Sequence, residues 1–465
     1  MRTNPRTMVW LCAGLMTLGL SACAPTQTGN VRTTPVRVNA TVAEAAQLAR
    51  QHDSLNGQAR SENGKAIERL LGGLDNPTLS LEAAQLPAGD PLYNFMGREL
   101  QRRGLPLPRP FDHESGWRFN VGNRLAADRD GYHPPRKLAV LLPLSGNLAV
   151  AASPVRDGLL AGYYGEHRAR PEIVFYDTAG TADGAVAAYQ KASGEGADYV
   201  VGPLGRDEVG ALFKLQDLPV PLLALNRTGQ TPPSGNASFA LAPEDDGIAA
   251  AEYLLSRKAS RVLVLVGDDD SQIRSVAALR EQLGRRGGSI VQTVSVADKP
   301  VDSTAVLQAA AQKDGGVDAV FFALKGPQAR TMIAQLATAG LGGKLKVGTS
   351  QLVSGTGKPD QDKLLDGIAF PSDAWSVQGA PGLPSADLTG KTLITARGPA
   401  ARLFAFGYDA WQLTGYLEKL VNDANGKLDG ATGTLRIDGF GNIMRTPAWS
   451  TFSNGLTVPL ARSGG

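Results

Sequence analysis

Beyond residue 136 the chain alternates short apolar runs with amphipathic helical patterns, and this alternation restricts the fold more than any other feature. The runs are apolar at nearly every position, which is typical of strands buried on both faces of a parallel sheet. The predicted strands are residues 137–142, 173–176, 197–201, 221–225, 261–266, 290–296, 319–324 and 346–348. Helical patterns lie between them, so the sequence predicts an α/β fold.

The alternating region, residues 136–462, is too long for one sheet of this kind, and we therefore expect two lobes. A short apolar run at 241–242 is followed by Pro243 and then by Glu244, Asp245 and Asp246. Acidic residues are favourable in the first turn of a helix. We expect the chain to leave the first lobe here and to begin the second.

The first 22 residues have the pattern of a signal peptide. Arg2 and Arg6 precede an apolar run at 8–20, which is shorter than the ~20 residues of a membrane-spanning helix. The run ends in Leu-Ser-Ala-Cys at 20–23, which resembles the lipobox of bacterial lipoproteins. That resemblance implies that Cys23 is lipidated and becomes the mature N-terminus, whereas the alternative is an ordinary signal peptide.

Ala24 follows Cys23 in place of the Asp that often retains lipoproteins at the inner membrane. We therefore expect an anchor in the outer membrane, with the protein facing the periplasm. Several acyl chains on one cysteine meet the requirement for stable anchoring. Cys12 is removed with the signal peptide, so the mature chain has no thiol to form a disulfide.

Residues 23–40 are polar and without periodicity, and they are interpreted as a flexible tether. Residues 41–135 form a short, mostly helical region, in which apolar residues at 42–49, 67–74 and 92–100 have helical spacing. The pattern predicts three short amphipathic helices. The alternative is a loosely packed extension.

The C-terminal part contains a long helical pattern at 401–421, followed by two alternating segments around Asp438-Gly439. Alternation on both sides of an Asp-Gly pair predicts a β-hairpin. Trp449, Phe452 and Val458 continue an extended edge.

Eight stretches carry a resemblance to a known family: residues 137–146, 155–158, 176–180, 196–204, 223–227, 241–245, 321–330 and 430–435. The first two resemble the opening strand and helix of type I periplasmic binding proteins. Together, in this order and behind a lipobox, the stretches are similar to the penicillin-binding protein activators, the LpoA/LppC lipoprotein family.

This resemblance implies a two-lobed type I periplasmic-binding-protein-like fold, with two Rossmann-like parallel sheets and three crossovers. We expect residues 137–245 and 368–430 in the first lobe, and 246–367 and 431–460 in the second. The helix at 401–421 would return to the first lobe, and the hairpin would complete the second. The best-known members carry a long N-terminal array of helical repeats, whereas fewer than 120 residues stand in its place here.

The family resemblance also implies a partner and an activity. An outer-membrane lipoprotein of this kind binds a class A penicillin-binding protein, a peptidoglycan synthase, and stimulates its transpeptidation during cell-wall synthesis. It acts as a regulator and not as an enzyme, and it needs no cofactor.

Sequence motifs of a catalytic or metal site are absent. The sequence has no Gly-x-Ser-x-Gly elbow and no Ser-x-x-Lys pair, and its four His and two Cys do not cluster at metal-ligand spacing. A formal charge of +3 is too small for a dedicated nucleic-acid binder. The adjacent Asp268, Asp269 and Asp270 could bind a cation, but a helix N-cap near Ser271 is the preferred interpretation.

The crevice between the lobes is the remaining candidate site, because open α/β sheets bind ligands at the carboxyl ends of their strands. The residues predicted at its rim are Ser145, Gly146, Asp177, Thr178, Pro203, Leu204, Asn226, Asp268, Lys325 and Thr349. The alternative is that these residues only cap loops.

The sequence is compatible with two functions. One is a synthase activator, and the other is a lipid-anchored solute-binding receptor of an ABC importer for an amino acid or small peptide. In type I amino-acid receptors, hydroxyl residues after the third strand bind the ligand carboxylate, whereas residues 202–206 here contain no hydroxyl. The helical region before the lobes also favours the activator, since a receptor needs nothing between its tether and its first lobe. Whether the crevice binds any small molecule is left open.

Overall fold

Four helices open the computed structural model, which describes residues 39–113, 124, 126–215, 217–299 and 301–461. Cys23, the signal peptide and nearly all of the predicted tether lie outside the described residues. The helices are α1 (Ala40–His52), α2 (Gly57–Gly72), α3 (Asn76–Gln85) and α4 (Tyr93–Arg102). They bury a common apolar core that includes Ile67, Leu71, Leu79 and Met96. We call residues 40–113 the helical module.

The prediction of three helices in this region was wrong by one, because α3 was not recognised. Asn76-Pro77 looks like the end of a helix but is the start of the next one. Asp75 is the N-cap, its side chain accepts a hydrogen bond from the Thr78 amide, and proline is tolerated in the first turn.

The first lobe is built on a parallel sheet of five strands in the order β2-β1-β3-β4-β5. The strands are β1 (Lys137–Leu142), β2 (Glu172–Asp177), β3 (Tyr199–Val201), β4 (Leu222–Ala224) and β5 (Ala237–Ser238). The helices between them are α5 (Ala149–Gly165), α6 (Ala182–Gly194) and α7 (Arg206–Leu212). This lobe matches the predicted alternation closely.

The second lobe begins with α8 (Pro243–Ser256) and is built on a sheet of seven strands. Five strands are parallel: β6 (Arg261–Val266), β7 (Ser289–Ser295), β8 (Ala319–Ala323), β9 (Leu345–Gly348) and β10 (Ala369–Ser372). The helices among them are α9 (Asp270–Arg285), α10 (Thr304–Ala311), α11 (Gly326–Thr338) and α12 (Pro359–Asp362). The predicted α/β fold with two parallel-stranded sheets is therefore confirmed.

After β10 the chain returns to the first lobe. It forms α13 (Ala374–Gln378), α14 (Ala386–Thr392) and α15 (Ala400–Asn422), and then a three-stranded antiparallel sheet. That sheet consists of β11 (Leu428–Asp429), β12 (Thr434–Ile437) and β13 (Ile443–Thr446). The chain then forms β14 (Ala448–Ser453) and β15 (Leu456–Pro459), which add antiparallel strands beside β10 in the second lobe.

Two of the expected lobe assignments need correction. Residues 369–372 were assigned to the first lobe, but β10 pairs with β9 and β14 in the second. The β12–β13 hairpin was expected to complete the second lobe, but Leu435, Ile437 and Ile443 pack into the core of the first. The chain therefore makes its last crossover about 16 residues later than expected, at Pro447. The reason is physical: an alternating pattern predicts a strand but not the sheet that it joins.

Helices α5 and α15 pack at unusually short range in the first lobe. A Cβ on Gly158 would lie 1.9 Å from the carbonyl oxygen of Phe404, and one on Gly407 would lie 1.9 Å from that of Val155. Glycine is thus required on both helices. This contact secures α15, which arrives late in the sequence, against the first lobe.

Candidate functional site

In the first lobe two of the predicted rim residues, Ser145 and Asp177, are bonded to each other. The Ser145 hydroxyl donates a hydrogen bond to the Asp177 carboxylate, with 2.6 Å between the oxygens. The backbone amides of Leu144 and Ala179 donate to the same carboxylate. These donors, the Ser145 hydroxyl above all, lower the pKa of Asp177. Thr178 is fully buried.

The other first-lobe rim residues either lie next to Ser145 and Asp177 in the sequence or form contacts within a neighbouring loop. Gly146 has a positive φ of 76°, and a Cβ there would lie 2.8 Å from the Ala179 carbonyl oxygen. Asn226 donates from its side-chain amide to the Leu204 carbonyl oxygen at 2.8 Å, beside Pro203. These contacts hold the strand-end loops in place.

In the second lobe, Lys325 forms an ion pair with Asp269, with 2.6 Å between Nζ and Oδ2, while Asp268 stays exposed. Asp269 is the N-cap residue of α9, two positions before Ser271. The hydroxyl of Thr349 is buried and has no hydrogen-bond partner in the structure. Each hydrogen bond described for these rim residues, and the ion pair, joins two residues of the same lobe. A ligand site at the rim stays a prediction.

A cluster of buried charges that sequence reasoning missed lies where the three crossovers meet. It consists of Asp246, Ser350, Asp373, Arg402 and Arg445, which we call the crossover cluster. Asp246 begins the second lobe, Asp373 follows β10, and Arg445 lies two residues before the last crossover. Arg445 and Asp246 have side chains only 1% and 4% exposed, and their N and O atoms are 3.4 Å apart.

Arg402, at the start of α15, joins the remaining members of the crossover cluster. Its guanidinium lies 3.8 Å from Asp246 and 3.9 Å from Asp373, and it donates to the Ser350 hydroxyl. The amide of Ser350 donates to Asp246 at 2.9 Å. Segments of both lobes are therefore bonded to the same carboxylate.

Burial and charge act against each other in this cluster. Burial raises the pKa of Asp373, although Arg402 and Arg445 act to lower it. Burial acts to lower the pKa of Arg402, but Asp373 and Asp246 outweigh it, and the pKa is raised. The arrangement binds the crossovers together and presents no activated nucleophile.

One signal in the sequence could have pointed to this cluster. Ile443 and Arg445 occupy the same face of β13, and both are buried. A charged residue in the inward register of a strand requires a buried partner. The partner, Asp246, is 199 residues away, and no local pattern identifies it.

The stretch at 430–435, one of those that carry the family resemblance, is held by Asp409 of α15. The Asp409 carboxylate accepts hydrogen bonds from the amides of Ala431 and Thr432 and from the Thr432 hydroxyl. A Cβ on Gly430 would lie 2.6 Å from Asp409 Oδ1, so the approach requires glycine. Burial raises the pKa of Asp409 to about 7, against the effect of these donors.

A cavity of about 1060 Å³ lies between the helical module and the two lobes. Its walls include Arg60 and Lys65 of the module, Phe440 of the hairpin turn, and Glu281 and Gln282 of α9. The lining carries both signs of charge. The cavity is built by residues from three parts of the chain, which sequence reasoning did not bring together.

One wall of this cavity contains a second buried charge cluster, centred on Glu68 of α2. Arg98 and Arg102 of α4 lie 2.8 Å and 3.2 Å from its carboxylate, and Arg285 of α9 lies 2.8 Å away. We call these four residues the Glu68 cluster. It joins the helical module to the second lobe through Arg285.

Among the described residues, no group of three or more His, Cys, Asp or Glu side chains is arranged to hold a metal ion. Within the same part of the chain, no helix combines the length and the apolar character needed to cross a membrane.

Comparisons with known proteins agree with this architecture. The family model described as "LppC putative lipoprotein" matches residues 132–455. The penicillin-binding protein activator LpoA of Klebsiella pneumoniae is 26% identical over 319 residues, which cover 62% of this chain and 44% of that protein. The chain spans about half the length of the curated relatives that it matches.

Solved structures show the same fold. The C-domain of LpoA from Haemophilus influenzae, described as a regulator of PBP1A, aligns over 70% of this chain and 100% of that one, with a TM-score of 0.58 and 21% identity. A "putative branched-chain amino acid ABC transporter" from Chromobacterium violaceum aligns over 68% and 99%, with a TM-score of 0.55 and 28% identity. The predicted two-lobed periplasmic-binding-protein-like fold is thus confirmed. Since the family model covers well over half of its residues, the chain belongs to the LppC lipoprotein family.

Proposed function

We propose that this protein is an outer-membrane lipoprotein that binds a class A penicillin-binding protein and stimulates its transpeptidation, with no catalysis of its own. The observation that carries the proposal is the family match over residues 132–455, together with curated relatives that are named penicillin-binding protein activators. Regulation of a partner suits a chain in which neither buried charge cluster contains an activated nucleophile.

Activation requires the lipoprotein to bind the active conformation of the synthase more tightly than the resting one. A tenfold shift of that balance needs about 1.4 kcal/mol of differential binding, a small part of the free energy of an ordinary protein interface. Removal of the signal peptide, which contains Arg2 and Arg6, leaves 45 basic and 44 acidic residues from Cys23 onward, so long-range steering is weak. We therefore expect the affinity to depend only modestly on salt.

The decisive experiment mixes the purified full chain with each class A synthase of its own organism and measures binding and crosslinked peptidoglycan. We expect direct binding to at least one synthase and a higher crosslinking rate. A synthase whose transpeptidase serine is replaced is the matched control, and it should bind without producing crosslinks. If no synthase binds and no rate changes, the proposal fails.

A solute-binding receptor is the second candidate, and the likeness to the Chromobacterium violaceum structure favours it. A receptor of this kind closes its lobes around a small ligand. Calorimetry with amino acids and short peptides separates the two functions. Tight binding of such a ligand, together with no effect on any synthase, would establish the receptor.

The proposed anchor is the lipidated Cys23. We expect wild-type protein in the outer-membrane fraction and Cys23→Ala protein in the soluble periplasmic fraction. Cys12→Ala is the control, because Cys12 precedes the cleavage point and should leave fractionation unchanged. Membrane retention of Cys23→Ala protein would contradict the anchor.

A further inference from the structure

A buried ion pair joins the helical module to the second lobe. Arg285 of α9 has a side chain only 7% exposed, and its Nη2 lies 2.8 Å from Glu68 Oε2. Gly72, at the end of α2, faces the same side chain, and a Cβ there would lie 2.8 Å from the Cβ of Arg285. The module therefore meets α9 through a close and specific contact.

On its other side the module contacts the turn of the β12–β13 hairpin. Asn94 and Gln101 of α4 donate to the carbonyl oxygens of Gly439 and Ile437, both at 3.2 Å. Arg98 places Nε 2.9 Å from Asp438, and its guanidinium lies 3.9 Å from the centre of the Phe440 ring.

The hairpin itself belongs to the first lobe, because its inward residues Leu435, Ile437 and Ile443 are part of that lobe's core. Arg98 also lies 2.8 Å from Glu68, the carboxylate that Arg285 contacts from the second lobe. A single chain of charged contacts thus runs from the first-lobe hairpin, through the module, to α9 of the second lobe.

We propose that the helical module is a clamp that bridges the two lobes and fixes the angle between them. A rotation of the lobes about the crossovers would move α9 relative to the hairpin turn. The rotation would have to separate Arg285 from Glu68, and separating a buried ion pair leaves charges without partners in a poorly solvated site. The module therefore restrains a hinge that two-lobed proteins of this shape otherwise have.

The test measures the distance between the lobes directly. The full chain, with Cys12 and Cys23 replaced by serine, receives one spin label on each lobe through Ala187→Cys in α6 and Ala334→Cys in α11, both at exposed positions. Electron paramagnetic resonance then gives the distribution of label–label distances. We expect a narrow distribution for the unmodified clamp and a broader, shifted one after Arg285→Ala.

Arg280→Ala is the matched control, because Arg280 is exposed on the same helix, and we expect it to leave the distribution unchanged. A second pair of variants, in the helical module, tests the clamp from its other side. Gly72→Ala pushes against the Arg285 side chain, whereas the nearest atom to a Cβ on Gly73 is 3.5 Å away. Gly72→Ala should broaden the distribution and Gly73→Ala should not.

Circular dichroism establishes that each variant is folded. Folded Arg285→Ala and Gly72→Ala proteins whose distributions match those of their controls would overturn the clamp. The synthase assay is independent of this result, so failure of the clamp and failure of the proposed activation are distinguishable.

Discussion

Asp409 is fully buried on α15, and its carboxylate nevertheless anchors the 430–433 loop through three hydrogen-bond donors. Burial raises its pKa to about 7, whereas the same group in an unfolded chain titrates near ~3.9. Between these two values the native state holds a proton that the unfolded chain releases. The free energy of unfolding should therefore fall as the pH rises through this window.

The residue-scale prediction concerns Asp409→Asn. This variant does not titrate, so we expect its free energy of unfolding to lose a pH dependence of up to about 1.4 kcal/mol per pH unit between pH 4 and 7. The measurement is chemical denaturation at pH 5 and pH 8. Asp387→Asn, at an exposed position of α14, should keep the wild-type dependence. Identical pH profiles for Asp409→Asn and wild type would contradict the assignment.

At the scale of the elements, short-range periodicity was sufficient for most helices and strands. β6 spans Arg261–Val266, as predicted, and β2 extends the predicted 173–176 by one residue at each end. Hydrophobic periods of 2 and 3.6 residues arise because one face of a strand or helix is buried, and they are visible in residues that are close together in the sequence. These periods do not show which sheet a strand joins, and for this reason β10 and the hairpin were assigned to the wrong lobes.

The element-scale prediction concerns the contact between α5 and α15. Gly158→Ala places a methyl group 1.9 Å from the Phe404 carbonyl oxygen, so the two helices must separate. We expect a loss of about 1–3 kcal/mol in the free energy of unfolding. Gly284→Ala in α9 meets nothing within 4 Å and should be neutral or slightly stabilising. Thermal unfolding checks both, and an unchanged Gly158→Ala protein would refute the close packing.

At the scale of the whole molecule, the ion pairs and hydrogen bonds that join the module and the lobes connect residues that are distant in sequence. Glu68 and Arg285 are 217 residues apart, and Ser350 and Asp246 are 104 apart. The rim residues were predicted because each follows its own strand. Both buried clusters were missed because their members become neighbours only after the chain has folded.

The whole-molecule prediction follows from the charge state of Glu68. Burial acts to raise its pKa, but Arg102, Arg98 and Arg285 together hold it well below its usual range. A lowered native pKa gives stability that is present above the unfolded value of about 4.3 and is lost as the pH falls below it. The stabilisation is lost progressively as the pH falls from about 4.3 towards the lowered native pKa, and pH 3 lies inside this window. Glu68→Gln should therefore cost about 3–5 kcal/mol at pH 7 and about 1–2 kcal/mol less at pH 3.

Denaturation of wild type and Glu68→Gln at the two pH values measures this difference. Glu62→Gln is the control, because Glu62 is exposed on the same helix and should change stability little at either pH. An equal loss for Glu68→Gln at pH 7 and pH 3 would show that the stabilisation does not come from the charge of this carboxylate.

The late return of the chain to both sheets has a consequence for biogenesis. The first lobe lacks α15 and the hairpin until residue 446 has been made, and the second lobe lacks β14 and β15 until residue 459. Neither lobe is a continuous segment, so neither can complete its core while the C-terminal part is still on the ribosome. A nascent chain of this kind keeps its first lobe incomplete until β13 has been made and its second lobe incomplete until β15 has been made. Removal of the last 20 residues would expose an edge of β10 in the second lobe, and a chain cut short before α15 would leave both lobes incomplete.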